Sequence, residues 1–273
     1  MKVNKVRLDV LLVDRGLAET REKAKRSIMA GLVFSDTERL DKPGVKVNED
    51  IPLTVKGKVM PYVGRGGLKL EKALSYFKLD VTGRVMLDIG SSTGGFTDCG
   101  LMNGVKLSYA LDVGYNQLAW KLRNDPRVVV MERTNFRHAT LDMFKEGQPD
   151  FATIDVSFIS LSLIIPPLKA IIALEGDCVV LIKPQFEAGR DQVGKKGIVK
   201  DKQVHHEVLA KVLKLFYAES FNLIDLTYSP ITGGDGNIEF LAHIQRVNNP
   251  KLVEDVNSFV DNVVEEAHVA LKK

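Results

Sequence analysis

The stretch Asp88-Ile89-Gly90-Ser91-Ser92-Thr93-Gly94-Gly95-Phe96-Thr97-Asp98 decides how the larger part of this chain folds. It follows the apolar run Val85–Ile89 directly, and its glycines fall where a strand turns into a helix. Glycine there lets the backbone approach a ligand that a side chain would block. Working outward, Leu107–Leu111, Val128–Met131, Phe151–Ile154, Cys178–Ile182, Leu223–Tyr228 and Phe240–Ile244 are further short apolar or β-branched runs. Helical stretches separate most of them. Asp225 and Thr227 interrupt the Leu223–Tyr228 run. The alternation predicts an α/β, doubly wound, mainly parallel sheet covered on both faces.

The second strand ends in Leu111-Asp112, about 20 residues downstream, where an acid accepts bonds from both ribose hydroxyls of a nucleoside cofactor. The dinucleotide fingerprint is G-x-G-x-x-G, whereas this chain reads Gly90-x-x-x-Gly94-Gly95, preceded by Asp88. A carboxylate at the mouth of the loop repels a pyrophosphate and suits the cationic amino end of S-adenosylmethionine. The spacing resembles motif I of class I methyltransferases, a Rossmann-like fold. The cofactor candidates are Asp88, Gly90, Ser91, Ser92, Gly94, Gly95, Phe96, Asp112 and Asp155, with Asn135 of Thr134-Asn135-Phe136 expected near adenine.

Lys69, Asp155, Lys183 and Glu239 punctuate the same region. Strand C-terminal ends border the ligand crevice of a doubly wound sheet, so Asp155 and Lys183 are expected to converge there. Any one of them alone reads as an exposed charge at a strand end. Together and in this order they resemble the Lys-Asp-Lys-Glu tetrad of FtsJ-like ribose 2′-O-methyltransferases. The resemblance makes Lys183 either the base that takes the 2′-hydroxyl proton or a cation that stabilises the alkoxide. Exocyclic-amine methylation often uses Asn/Asp-Pro-Pro-aromatic after the fourth strand; here it reads Asp155-Val156-Ser157-Phe158. Pyrimidine C5 methylation needs a nucleophilic cysteine, and Cys99 and Cys178 both read as core residues.

Residues 1–60 read as a separate small α+β unit, joined by a linker at about 57–62 to a catalytic unit over 61–273. Leu8, Leu11 and Leu12 recur at helical spacing and Gly16 closes that helix. Thr20 caps a second helix over Arg21–Ala30, with Ala24 and Ile28 inward and Gly31 at its end. Short runs Leu32–Phe34, Val45–Val47 and Ile51–Val55 follow. Arg7-Leu8-Asp9, Leu11, Gly16, Arg21, Ala24, Ile28, Gly31 and Val33 resemble the S4 domain, although the usual Asn-Gly turn reads Ser35-Asp36. That resemblance makes Arg7, Arg21, Lys23, Lys25 and Arg26 candidates for RNA phosphate contact. Arg65, in Tyr62-Val63-Gly64-Arg65-Gly66, and Lys195 and Lys196, in Gly194-Lys195-Lys196-Gly197, join them. An S4 unit followed by this catalytic unit is similar to the TlyA family, long labelled haemolysin-like. The likeness implies methylation of the cytidine ribose in ribosomal RNA, so the expected partner is ribosomal RNA or a ribosomal subunit, with no membrane and no obligate protein partner.

Bulk properties agree with a globular chain of 273 residues, 45% hydrophobic and 27% charged, with a net charge of only +3. Charge is unevenly spread: Lys2, Lys5, Arg7, Arg15, Arg21, Lys23, Lys25 and Arg26 outnumber the acids Asp9, Asp14, Glu19 and Glu22 in the first 28 residues. The tail from Lys251 is acidic until Lys272 and Lys273. Two cysteines exclude a disulfide framework and fit a reducing compartment, and no signal peptide or spanning segment is read, so a cytoplasmic location is expected. No metal is expected. His205-His206 reads as a solvated pair, since adjacent helical residues point in different directions. The apolar stripe Leu252, Val256, Phe259, Val260, Val263 and Leu271 reads as packing against the catalytic unit. Two competing functions are a non-catalytic RNA-binding assembly factor with a vestigial crevice and, a poor third, a cytolysin.

Overall fold

A computed structural model of the chain describes residues 5–29, 31–57, 60–233, 236–253 and 255–271. The chain divides into two compact units, 1–61 and 62–273. The first unit runs β1 (Lys5–Arg7), α1 (Leu8–Asp14), α2 (Arg21–Met29), β2 (Val33–Ser35), β3 (Glu38–Arg39), β4 (Lys46–Asn48) and β5 (Thr54–Val55). β1 pairs antiparallel with β4, and β3-β2-β5 form a second antiparallel sheet. Leu8, Leu11, Leu12, Ala24, Ile28, Val33 and Val47 make its core. Thr20 caps α2 as expected, accepting from Lys23 N–H at 3.2 Å. Ala30, the expected last residue of that helix, lies outside the described residues, as do Lys58 and Val59 of the expected linker. Gly31 is left-handed at φ 69°. In the turn where Asn-Gly was the family expectation, Asp36 takes the left-handed position at φ 50°, and β2 and β3 close as a hairpin around it.

The second unit begins with α3 (Gly66–Tyr76), then β6 (Val85–Ile89), α4 (Gly95–Met102), β7 (Leu107–Leu111), α5 (Trp120–Arg123), β8 (Val128–Met131) and β9 (Phe151–Ile154). It continues through α6 (Ile165–Ile171), β10 (Asp177–Ile182), α7 (Pro184–Glu187), α8 (Lys202–Ala218), β11 (Phe221–Tyr228), β12 (Phe240–Arg246) and α9 (Val256–Leu271). The sheet order is β11-β12-β10-β9-β6-β7-β8. The five strands from β10 to β8 are parallel, and β12 runs antiparallel to both β10 and β11. Side chains alternate across the sheet. Leu87, Ile89, Val180 and Ile182 join the cluster under α6, α8 and α9, while Met86, Val179 and Leu181 join the one under α3 and α4. Cys99 and Cys178 are buried free thiols, as read. Val260 and Val263 of the expected stripe are buried on α9 with Val264 and Ala267, packing it on its own unit, whereas Leu252 lies before the helix and is exposed.

One reading on α8 is corrected. His205 is not solvated: it is fully buried, with Nδ1 2.9 Å from His268 Nε2 on α9. Burial and the neighbouring imidazole push its pKa down to about 4. His206 faces Asp261 at 3.4 Å.

Strand direction sets up the site. β9 and β10 end at the same rim of the sheet, delivering Asp155 and Lys183. Because β12 is antiparallel to β10, with Phe240 opposite Ile182, its beginning lies at that rim too. Glu239, the residue before β12, is therefore carried to the same place.

Candidate active site

The four charged residues form one chain of contacts. Glu239 Oε2 lies 2.7 Å from Lys69 Nζ, Lys69 Nζ lies 3.6 Å from Asp155 Oδ2, and Asp155 Oδ1 lies 2.6 Å from Lys183 Nζ. Lys183 Nζ also donates to Ser157 Oγ at 3.0 Å. Both lysine side chains are only 9% exposed and Glu239 is buried, so opposite charges alternate with little water between them. Such burial is tolerable only because each charge has a partner. Gly233 makes room for this arrangement: a Cβ there would stand 2.2 Å from Glu239 Oε1.

Asp155 also borders a two-lobed crevice at the strand ends. The larger lobe, about 480 Å³, is lined by Leu111, Asp112, Asn135, Phe136, Asp155 and their neighbours. The smaller, about 200 Å³, is lined by Asp88, Gly90, Ser91, Ser92, Gly95 and Phe96, again with Asp155. Gly90, at φ 85°, leaves no space for a side chain, since a Cβ would meet the Asp155 carbonyl oxygen at 2.4 Å. Asp112 follows β7 and accepts from Ser92 N–H at 2.8 Å and Gly114 N–H at 2.7 Å, which fixes its carboxylate at the edge of the larger lobe. An apolar slot with the fixed Asp112 carboxylate at its edge suits a nucleoside, and the narrower polar lobe suits an amino-acid tail. S-adenosylmethionine fits this donor set.

A match to the model of FtsJ-like methyltransferases runs over residues 62–246, the part of the chain that holds this crevice. The chain belongs to that family. Residues 6–50 match the S4 domain. This FtsJ-like protein is 61% identical over 274 residues to YqxC of Bacillus subtilis, covering 100% of this chain and 98% of that protein. It is 42% identical over 242 residues to the 16S/23S rRNA (cytidine-2′-O)-methyltransferase TlyA of Mycobacterium tuberculosis, covering 88% and 90%. A solved chain from Streptococcus thermophilus that bears a hemolysin name aligns with a TM-score of 0.78 at 52% identity, covering 99% and 98%. The protein is thus an S-adenosylmethionine-dependent methyltransferase of the TlyA group.

Several site residues of the FtsJ-like unit differ in detail from their sequence reading. Asp88 is not a carboxylate at the mouth. It is fully buried beneath the glycine loop, where Thr97 N–H and Oγ1 donate to Oδ2 at 3.0 and 2.8 Å and Thr153 Oγ1 donates to Oδ1 at 3.0 Å. Burial is the main cause that pushes its pKa up to about 7, against the pull of those donors. Its oxygens shape the loop from beneath while Asp88 still lines the smaller lobe. Gly94 caps α4 at φ 96° and faces Leu118 and Leu122, where a Cβ would clash at 2.3 Å. It serves the turn and is not among the crevice residues. Ser157 and Phe158 escaped the sequence reading. The rule that strand ends border the crevice points to both, two and three residues beyond Asp155. Phe158 is left-handed at φ 63° and 91% exposed on the rim of the larger lobe.

The candidate RNA residues divide into two groups. Arg7 forms two bonds to Asp9, 3.0 and 3.1 Å, and Arg21 a third at 3.0 Å. These guanidiniums, the Arg7 hydrogen bond first, hold the buried Asp9 carboxyl down at about 2. Both arginines thereby help hold the S4 unit together, while their side chains stay 45% and 55% exposed. Lys23 pairs with Glu19, and Lys25 with Glu22 at 2.8 Å. Arg26 has no ion pair among the described residues. In the FtsJ-like unit, Arg65 precedes α3 and is exposed, as are Lys195 and Lys196 in a turn closed by Gly194 and Gly197. Asn237 ties that turn down, donating to the Gly197 carbonyl at 2.9 Å and accepting from Val199 N–H at 3.0 Å.

Proposed function

We propose that this protein methylates the ribose 2′-hydroxyl of cytidine in ribosomal RNA. The single observation that carries the reading is the placement of Lys183 Nζ, 2.6 Å from Asp155 Oδ1, where Asp155 itself borders both lobes of the crevice. Bound S-adenosylmethionine supplies an electrophilic methyl group, so the chain must position the acceptor oxygen and favour charge developing on it. Lys183 is held by Asp155 and Ser157 as a donor facing that oxygen. As a cation it favours negative charge there while the hydroxyl proton is lost late to water; as a neutral amine it takes that proton itself. Methyl transfer leaves S-adenosylhomocysteine in either case. Lys69 and Glu239 fix Asp155 from the other side. Asp112 holds the ribose of the cofactor, Asn135 and Phe136 its base, and Gly90, Ser91 and Ser92 its amino-acid end. The S4 unit supplies RNA affinity through Arg26 and its neighbours, with Arg65, Lys195 and Lys196 guiding phosphate on the catalytic unit. An RNA substrate of this kind implies work in the cytoplasm.

The names of relatives such as TlyA of Mycobacterium tuberculosis support cytidine and ribosomal RNA as the target. Mapping ribose methylation across 16S and 23S rRNA, with and without the protein, tests the reading. A gained 2′-O-methylcytidine is expected. A methyl group found on a base, or no gained ribose methylation, refutes it.

A further inference from the structure

Glu187 is a buried acid that the charge chain leaves unused. It closes α7, the short helix that Lys183 caps. Its carboxylate reaches the loop after β9, where Leu161 N–H donates to Oε1 at 2.7 Å and Ser160 Oγ donates to Oε2 at 2.8 Å. The residue is 6% exposed, and burial raises its pKa against the pull of these two donors. The same loop starts at Asp155 and carries Ser157, which accepts from Lys183. Segments 155–161 and 183–187 are therefore joined at both ends: by Lys183 with Asp155 and Ser157 at one, by Glu187 with Ser160 and Leu161 at the other. Between them the Phe158 and Phe186 rings lie 5.0 Å apart.

We propose that Glu187 is a positioning residue for methyl transfer. It staples the loop after β9 to the helix after β10, so that Ser157 and Asp155 hold Lys183 in register. The inference rests on the assignment of Lys183 to the reacting oxygen. Small displacements of a reacting group are costly: about 1 Å is worth roughly 10²-fold in rate. Without the carboxylate, the Leu161 N–H would be left buried and unpaired. Glutamine keeps both links, its oxygen accepting from Leu161 N–H and its amide donating to Ser160 Oγ.

The test uses the full-length protein with ribosomal RNA and saturating S-adenosylmethionine, in single turnover. Glu187→Ala is expected to slow methyl transfer by about tenfold or more, with cofactor Kd changed by less than about threefold. Glu187→Gln restores most of the rate, and Ser160→Ala falls between. Amide hydrogen exchange across 157–163 accelerates in Glu187→Ala and stays at the wild-type level in Glu187→Gln. A wild-type rate in Glu187→Ala, a loss confined to cofactor affinity, or equal losses in the alanine and glutamine variants overturns the proposal. If the wild-type protein transfers no methyl to ribosomal RNA, the functional reading fails separately. The exchange comparison then decides alone, and unchanged protection in Glu187→Ala overturns the staple.

Discussion

Lys69 Nζ stands 2.7 Å from Glu239 Oε2, although Lys69 belongs to the first helix of the catalytic unit and Glu239 precedes its last strand. Removing one member strips the other of its nearest partner in a dry place. Glu239→Ala leaves Lys69 with Asp155 alone, at 3.6 Å, and is expected to destabilise the catalytic unit by about 1–3 kcal/mol, the usual scale for losing a hydrogen bond to a charged group. The double variant Lys69→Met with Glu239→Leu should recover much of that stability while remaining inactive. Denaturant unfolding of the single and double variants measures both. A double variant as unstable as Glu239→Ala would show that the pair is not the source of the loss.

Lys183→Ala should bind cofactor and RNA nearly as well as the unaltered protein and transfer methyl roughly 10²-fold more slowly or worse. Lys183→Arg separates the two roles a lysine can play. Arginine keeps the charge and cannot give up its proton, so recovery of much of the rate supports a cation. An arginine variant as slow as alanine points to proton abstraction instead.

Asp112→Ala should weaken S-adenosylmethionine binding by roughly 1.5–3 kcal/mol, the scale of a hydrogen bond to a charged group. Part of that loss comes from the loop itself, because Ser92 N–H and Gly114 N–H lose their acceptor. Calorimetric titration of the folded variant checks it; unchanged affinity would remove Asp112 from the site.

The sheet was largely legible because its central strands are buried and mostly apolar. β6, β7, β8 and β9 run between the residues read from sequence, since short, mostly apolar or β-branched runs bounded by polar and glycine-bearing stretches leave little choice of ends. β3, Glu38–Arg39, has no apolar residue and gave no signal, and β1 carries one valine between two cations. The tetrad was legible from order and strand position. The inward turn of Asp88 was not, because it depends on Thr153, which is remote in sequence and arrives only when β9 pairs with β6. Nor was the pairing of Arg7 and Arg21 with Asp9, since a basic side chain reads the same in sequence whether or not a buried acid faces it.

Asp88 predicts a pH signature. Its folded pKa of about 7 lies above the ordinary carboxylate value of 3.8. Below that ordinary value, the acid is protonated in both states and carries no penalty. As pH rises toward 7 the unfolded chain releases the proton while the fold retains it, so this contribution to stability declines and is lost above the folded pKa. Asp88→Asn can keep the contacts with Thr97 and Thr153 and does not titrate. Its Tm relative to the unaltered protein should therefore climb between about pH 4 and about pH 7. A Tm difference independent of pH would refute this.

In the S4 unit, Arg26→Glu should weaken RNA binding and flatten its salt dependence without loss of stability, since no ion pair of Arg26 is seen among the described residues. Arg21→Ala should instead lower the stability of the S4 unit, because Asp9 loses one of its two cations. Filter binding across a salt series and thermal melts separate the two. A stability loss for Arg26→Glu equal to that of Arg21→Ala would contradict the division.

The position of β12 has a consequence for how the protein is made. In the sheet β12 lies between β10 and β11, yet β11 leaves the ribosome first. β11 therefore has no edge to join until the chain beyond it has emerged. Lys69, Asp155 and Lys183 are all synthesised while Glu239 is still to come. A nascent or prematurely ended chain thus holds the cofactor loop and the five parallel-paired strands without the acid that balances Lys69. The catalytic unit cannot mature piecemeal from its N-terminus, and translation must pass β12 before the enzyme can switch on.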